Sequence, residues 1–243
     1  MILNFIRIKR EHRFFTFEGG HRKLCYYLKK EKGITCNHKR MYRLCKLAGI
    51  LLPKKKRQVF HRKKAKDIDI IRPNQQWQFD IKYGHIQEEN RFFFICIFID
   101  VFDRDIVGYY IGLKCTGQDI AKTLKLAIES RQIQEEDRLV IRSDNGSQMT
   151  SKIFSDTVAK LPIEHEFIPV RTPDKNAFVE SFNSLLEINV TAPVYFYSFA
   201  HAYRYTVDYI NFYRNERIHG SLKMTPVEFS NQFKLENKVD FVA

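Results

Sequence analysis

The sequence predicts an α/β domain preceded by a small basic helical module, and three observations carry that reading. Positive charge is concentrated at one end: residues 1–70 hold 21 Lys and Arg against 5 Asp and Glu, whereas residues 71–243 hold 20 against 23. Strand patterning begins where the basic region stops, with WQFDIKYGHI alternating and RFFFICIFID continuously apolar. Beyond about residue 115, helical and extended patterns alternate, the order expected of a sheet with helices on its faces. With 243 residues, 44% of them hydrophobic, the chain is long and apolar enough to bury a core, which excludes a disordered polyanion binder.

In chain order, HRKLCYYLKKE places Leu24, Tyr27 and Leu28 on one helical face, and Lys32-Gly33 ends it. Asn37 suits an N-cap for HKRMYRLCKLA, whose apolar stripe is Met41, Leu44, Cys45 and Ala48, with Gly49 as the C-terminal stop. Lys39, Arg40, Arg43 and Lys46 are left on the outer side, as in a helix-turn-helix whose second helix reads DNA; a solvated helical hairpin fits the same pattern. Lys54, Lys55, Lys56 and Arg57 open a basic linker suited to lie along phosphates. The divisions expected are 1–52 for the helical segment, 53–72 for the linker, and 73–235 for the core with its C-terminal helices.

In the core, Trp77, Phe79, Ile81 and Tyr83 share one strand face and Gln78, Asp80 and Lys82 the other. RFFFICIFID and DIVGYYIGL follow, giving an antiparallel meander of three strands. A helix over about 118–130 turns Ile120, Leu124 and Ala127 inward, and RLVIRSD is a fourth strand ending at Asp144-Asn145-Gly146. Helix 152–160, strand 163–168, and helices over 173–188, 198–214 and 226–233 complete the order. The longest apolar run, Phe92–Ile99, is too short for a membrane span, which takes about 20 residues, and MILNFI is too short for a secretory leader. Five scattered cysteines without a CxxC pair fit reduced thiols, so a cytoplasmic protein is expected.

Three acids stand out. Asp80 is mid-strand, Asp144 ends a short apolar strand, and Glu180 lies on a helix whose polar stripe is Asn176, Glu180, Asn183 and Glu187, opposite Phe178, Phe182, Leu185 and Leu186. Singly, each has an ordinary explanation as a turn, surface or edge-strand acid. Together, carboxylates from separate elements can converge on Mg²⁺, which takes hard oxygen ligands and substrate phosphates. Asp100, Asp103 and Asp105 sit near strand ends as well, and Asp100 rivals Asp80 as a ligand.

WQFD at 77–80, DVFDRDIVGYY at 100–110, SDNGSQMTS at 143–151 and NAFVESFN at 176–183, with 35 residues between Asp144 and Glu180, resemble the core of bacterial insertion-sequence transposases and retroviral-type integrases. YRNERIHGSL with MTPVEF resembles the C-terminal block of those transposases, and GGHRKLCYYLKKEKGITCNHKRMYRLCKLAGILLP their upstream helix-turn-helix. The resemblance implies a ribonuclease H-like core with a mixed five-stranded sheet. It implies catalysis of DNA cleavage and strand transfer by Asp80, Asp144 and Glu180 as ligands of two Mg²⁺ ions, for which Mn²⁺ can substitute. Water would expose a 3′-hydroxyl at the element's end, and that hydroxyl would attack a second phosphodiester without a covalent protein intermediate. Asn145, Gln148, Asn176, Arg217 and His219 are expected near substrate; His219 is structural or DNA-facing rather than a base. The implied partners are double-stranded DNA of element ends and target, further copies of the chain, and an upstream-frame DNA-binding subunit, in a bacterial, nucleoid-associated setting.

The chain departs from its relatives at Arg142, where they often carry His, and in the loop IPVRTPDK, where theirs is Ser-rich. It also places Leu186 and Glu187 where they tend to carry Lys or Arg. An acid there opposes phosphate, so two further readings stay open: an inactive DNA-binding remnant, and a ribonuclease H-type nuclease acting on RNA in hybrids.

Overall fold

The computed structural model describes residues 2–11, 20–51, 69–168 and 173–239. They fall into two compact units: residues 2–11, 20–51 and 211–239 form one, and residues 69–168 and 173–210 the other. Lys54, Lys55, Lys56 and Arg57, with the linker expected around them as far as residue 68, lie outside the described residues. No helix among the described residues is long and apolar enough to cross a membrane.

In the helical unit, α1 (Ile2–Glu11), α2 (Gly20–Lys32) and α3 (His38–Leu47) surround a core of Phe5, Ile6, Leu24, Tyr27, Leu28, Met41, Cys45 and Ile218. The sequence reading did not anticipate α1, whose single short apolar stretch is helical because Phe5 and Ile6 find this core. Asn37 is the N-cap of α3, its Oδ1 accepting from the Lys39 amide at 2.8 Å. Gly33 and Gly49 take φ of 66° and 64° at the two helix ends, where glycine escapes the Cβ clash. Ala48, expected in the apolar stripe, is exposed because α3 ends at Leu47 and the chain is already turning away.

The unit is completed from the far end of the chain. The Tyr27 hydroxyl accepts from the Ile218 amide at 2.7 Å and donates to the Glu216 carbonyl at 3.1 Å. Burial pushes its pKa up to about 12, against the Ile218 hydrogen bond. α8 (Pro226–Val239) is capped reciprocally, Thr225 Oγ1 accepting from the Glu228 amide and Glu228 Oε2 from the Thr225 amide, and Glu228 pairs with Lys30 of α2 at 2.6 Å. Residues 211–239 therefore group with the helix pair.

The second unit is built on a mixed five-stranded sheet of order β3-β2-β1-β4-β5: β1 (Gln76–Ile86), β2 (Arg91–Asp100), β3 (Ile106–Gly112), β4 (Leu139–Ser143) and β5 (Ile163–Phe167). β1, β2 and β3 form the expected antiparallel meander, and β4 and β5 run parallel in sequence from β1. One face carries Trp77, Phe79, Cys96, Phe98, Leu139 and Ile141 against α4 (Gly117–Arg131) and α5 (Lys152–Val158). Trp77 is wholly buried there, a core residue as its place in the alternation predicts. On the opposite face, α6 (Ala177–Leu186) lies against β1 and β2 and buries Val179, Phe182 and Leu186, so Val179 takes the place expected for Phe178. Phe178 instead carries the Arg104 guanidinium 3.7 Å above its ring. α6 runs on into a π turn, Glu187–Thr191, and α7 (Phe199–Asn215) follows.

Candidate active site

Strand pairing sets Asp144 beside Asp80. β4 pairs with β1 in parallel as Gln76↔Val140, Trp77↔Ile141 and Gln78↔Arg142, and the same offset continued brings residue 144 level with residue 80. Asp80 faces α6, and its carboxylate is held on both oxygens: Oδ1 accepts from the Ile81 amide at 2.8 Å and Oδ2 from Asn183 Nδ2 at 2.9 Å. Asp80, Lys82, Glu180, Asn183 and Glu187 line an open cleft of about 440 Å³.

The electrostatics agree with this convergence. Burial, with the charges of Asp144 and Glu180, raises the Asp80 pKa from 3.8 to about 6, against the Ile81 and Asn183 hydrogen bonds. Asp144 is exposed at the end of β4, where its Oδ1 accepts from the Gly146 amide at 3.0 Å and shapes the turn. Glu180 is exposed on the first turns of α6. The donor chemistry suits a divalent cation, since like charges gather around a half-buried carboxylate. Among the described residues, however, no three His, Cys, Asp or Glu side chains stand close enough to hold one ion. A cation would have to draw the Asp144 turn or the start of α6 toward Asp80.

Hydrogen bonds from β1 fix where α6 begins. Gln78 Oε1 accepts from the Phe178 and Val179 amides at 3.0 and 3.3 Å, and its Nε2 donates to the Lys175 carbonyl at 3.0 Å. A strand side chain thereby serves as the helix cap, and Asn176, the N-cap by position, makes no capping bond. Asn176 is buried and donates to the Phe79 carbonyl at 3.3 Å, so it braces the helix from within. Arg142 is buried too, donating to Glu166 Oε2 at 2.8 Å and to the Lys175 carbonyl at 3.2 Å. The departure at residue 142 thus supports the turn that precedes α6.

Asp100 stands apart. It pairs with Trp77, three rungs along the ladder from Asp80 and its partner Ile97. Its oxygens accept from the Asn74 and Phe102 amides at 2.7 and 2.8 Å, and burial, with the Asp103 charge, pushes its pKa up to about 7. Asp103 and Asp105 pair with Arg131 at 3.3 and 2.8 Å. These acids order the β2–β3 turn.

Of the other expected contacts, Asn145 donates to the Ile168 carbonyl at 2.9 Å, tying the Asp144 turn to the end of β5. Gln148 lies in the same turn, where its carbonyl accepts from Ser151 Oγ at 2.7 Å. Arg217 and His219 belong to the helical unit; His219 Nδ1 lies 3.0 Å from Ser221 Oγ. Lys39, Arg40, Arg43 and Lys46 are exposed along α3, as the helical wheel predicts. Gln78 and Lys82 were not singled out in the sequence, although both share the face of Asp80 at two residues' distance.

Residues 71–173 match the family described as integrase core domain, residues 161–226 a second family of the same description, and residues 4–58 the HTH-like domain. Most of the sheet-bearing unit is thus covered by matches to the integrase core, and the N-terminal helices by a match to the HTH-like domain. Curated relatives include an uncharacterized 39.2 kDa protein of insertion element IS476 from Xanthomonas euvesicatoria, 27% identical over 95% of this chain and 64% of its own length. The transposase for IS904 from Lactococcus lactis is 26% identical over 78% of each chain. A chain of the simian T-cell lymphotropic virus intasome, in complex with a PP2A regulatory subunit, has the same fold, with a TM-score of 0.52 at 15% identity over 84% of this chain and 73% of that one. The chain is thus similar to integrase-core proteins and transposases of insertion elements, and it spans 64% of the length of the first of these relatives.

Proposed function

We propose that the chain cleaves DNA at the ends of an insertion sequence and transfers the exposed 3′ ends to a target, with Asp80, Asp144 and Glu180 as its catalytic acids. The observation that carries this is the Asp80 carboxylate. It is held by Asn183 and the Ile81 amide, and its pKa of about 6 reflects burial and the nearby charges of Asp144 and Glu180. Such a group is mostly ionised near neutral pH and is set among other acids, a cost in stability that a metal-binding role explains.

A divalent cation, Mg²⁺ with Mn²⁺ as a substitute and two ions per site in this reading, would supply charge neutralisation at the reacting phosphate. The chain's own part is positional. Gln78 and Asn176 fix the start of α6 and so the height of Glu180, Asn183 orients Asp80, and Asn145 holds the Asp144 turn. Double-stranded DNA is the proposed partner, gripped in part through Lys39, Arg40, Arg43 and Lys46. Assembly of several copies on DNA, an upstream-frame DNA-binding subunit and a nucleoid-associated cytoplasmic setting belong to the same proposal. The test is strand transfer by the purified chain with Mg²⁺ and DNA bearing the element's ends, beside Asp144→Ala. Joined product from wild type and none from the variant is expected; wild type that binds this DNA without joining it refutes the proposal.

A further inference from the structure

The cleft beside Asp80 is acidic, and DNA is a polyanion, so a DNA-cleaving reading needs a cation there. Among the described residues lining the cleft, Lys82 is the one Lys or Arg. It stands two residues beyond Asp80 on the same face of β1, and its ammonium is paired with Glu187 at the first residue of the π turn. Glu187 is the more exposed partner, its side chain 52% accessible against 27% for Lys82. A carboxylate on an ammonium presents the same charge and oxygen chemistry as a phosphodiester. An exposed pair of this kind is worth only about 0–1 kcal/mol, so an incoming phosphate can displace the carboxylate at little cost.

Resting on the proposed function, we infer that Lys82 positions a DNA phosphate in the catalytic cleft and that Glu187 occupies the place of that phosphate until DNA arrives. The positive charge lacking on the helix at residue 187 is supplied from the strand opposite. The acid there then serves to hold the lysine extended at the cleft rather than to repel substrate. A lysine already held at its binding position loses less side-chain freedom when phosphate replaces carboxylate.

The experiment measures affinity of the full chain for a short fluorescent duplex by anisotropy across a salt series, for wild type, Lys82→Gln, Lys82→Arg and Glu187→Gln. Loss of one phosphate contact lowers the slope of log affinity against log salt by about 0.9, so from about 50 to 200 mM salt Lys82→Gln should lose roughly 3-fold less affinity than wild type. Lys82→Arg should keep the wild-type slope. Glu187→Gln should bind about 2–5-fold more tightly, the range set by removing a competing exposed pair. Unchanged slope in Lys82→Gln overturns the inference. So does matched weakening in Lys82→Gln and Glu187→Gln with lowered melting temperatures, which marks the pair as a brace between β1 and the π turn. Wild type that does not bind duplex defeats the proposed function itself, whereas wild type that binds with variants that do not differ defeats this inference alone.

Discussion

Gln78 offers a sharp test of how the cleft is built, because its side chain replaces the ordinary helix cap. In Gln78→Ala, the Phe178 and Val179 amides lose their acceptor and the Lys175 carbonyl keeps only its Arg142 donor, inside a site where Gln78 itself is only 2% exposed. A buried polar group left unpaired costs about 1–3 kcal/mol, and partial relaxation at the start of α6 sets the total at about 3 kcal/mol. For a protein of this size, that lowers the melting temperature by about 6–12 °C. Glu180 is one to two residues from the released amides, so strand transfer should fall more steeply than stability, measured well below the melting point. Gln78→Glu keeps the acceptor and places a negative charge at the helix N-terminus, but loses the donor to Lys175; it should rank between alanine and wild type. Thermal unfolding followed by circular dichroism, beside a strand-transfer assay, checks both parts. A Gln78→Ala melting temperature within about 1 °C of wild type would falsify the capping argument.

Asp80 should make stability fall with rising pH. Its folded pKa of about 6 lies above the ordinary 3.8, so the protonated form favours the native state and that advantage is lost between about pH 4 and 6. In metal-free buffer, Asp80→Asn should therefore match wild type near pH 4 and exceed it near pH 8, by on the order of 2 kcal/mol in denaturant melts, while losing strand transfer; a pH-independent gap refutes this. Tyr27→Phe strands the buried Ile218 amide and should cost the helical unit about 1–3 kcal/mol in urea unfolding. Replacing Lys39, Arg40, Arg43 and Lys46 together by Gln should lower the salt slope of DNA binding by up to about 3.6 if all four meet phosphate. Substitution is the better probe than removing residues 1–70, because truncation would uncover Ile218.

Much of this was legible in the sequence, for identifiable reasons. The period-two pattern of WQFDIKYGHI assigned Trp77 and Phe79 to one face and Asp80 to the other, since alternation survives whatever covers each face. The polar stripe Asn176, Glu180, Asn183 and Glu187 marked the side of α6 that meets the acids. What the stripe could not say is that Asn176 and Asn183 are buried, because a polar residue braced on a strand carbonyl or a carboxylate has the same sequence signature as one in water. Nor did local pattern disclose α1 or the grouping of residues 211–239 with the helix pair, since both depend on apolar partners far along the chain.

The same distance effect explains the departures from the family pattern. Glu187 counts as an adverse charge when α6 is read alone, but its partner Lys82 is 105 residues upstream. Arg142 looks out of place on β4 until its carbonyl partner at Lys175 and its carboxylate partner on β5 are in view. Each unusual residue is compensated across the sheet, at a separation that no helical or strand period reports. A count of charge along the sequence therefore overstates how hostile the cleft is to DNA. The relevant sum is taken over side chains that face each other, where Lys82 cancels Glu187 and the remaining excess belongs to Asp80, Asp144 and Glu180. That residual negative charge is confined to the three acids proposed for catalysis, which is where a bound cation would relieve it.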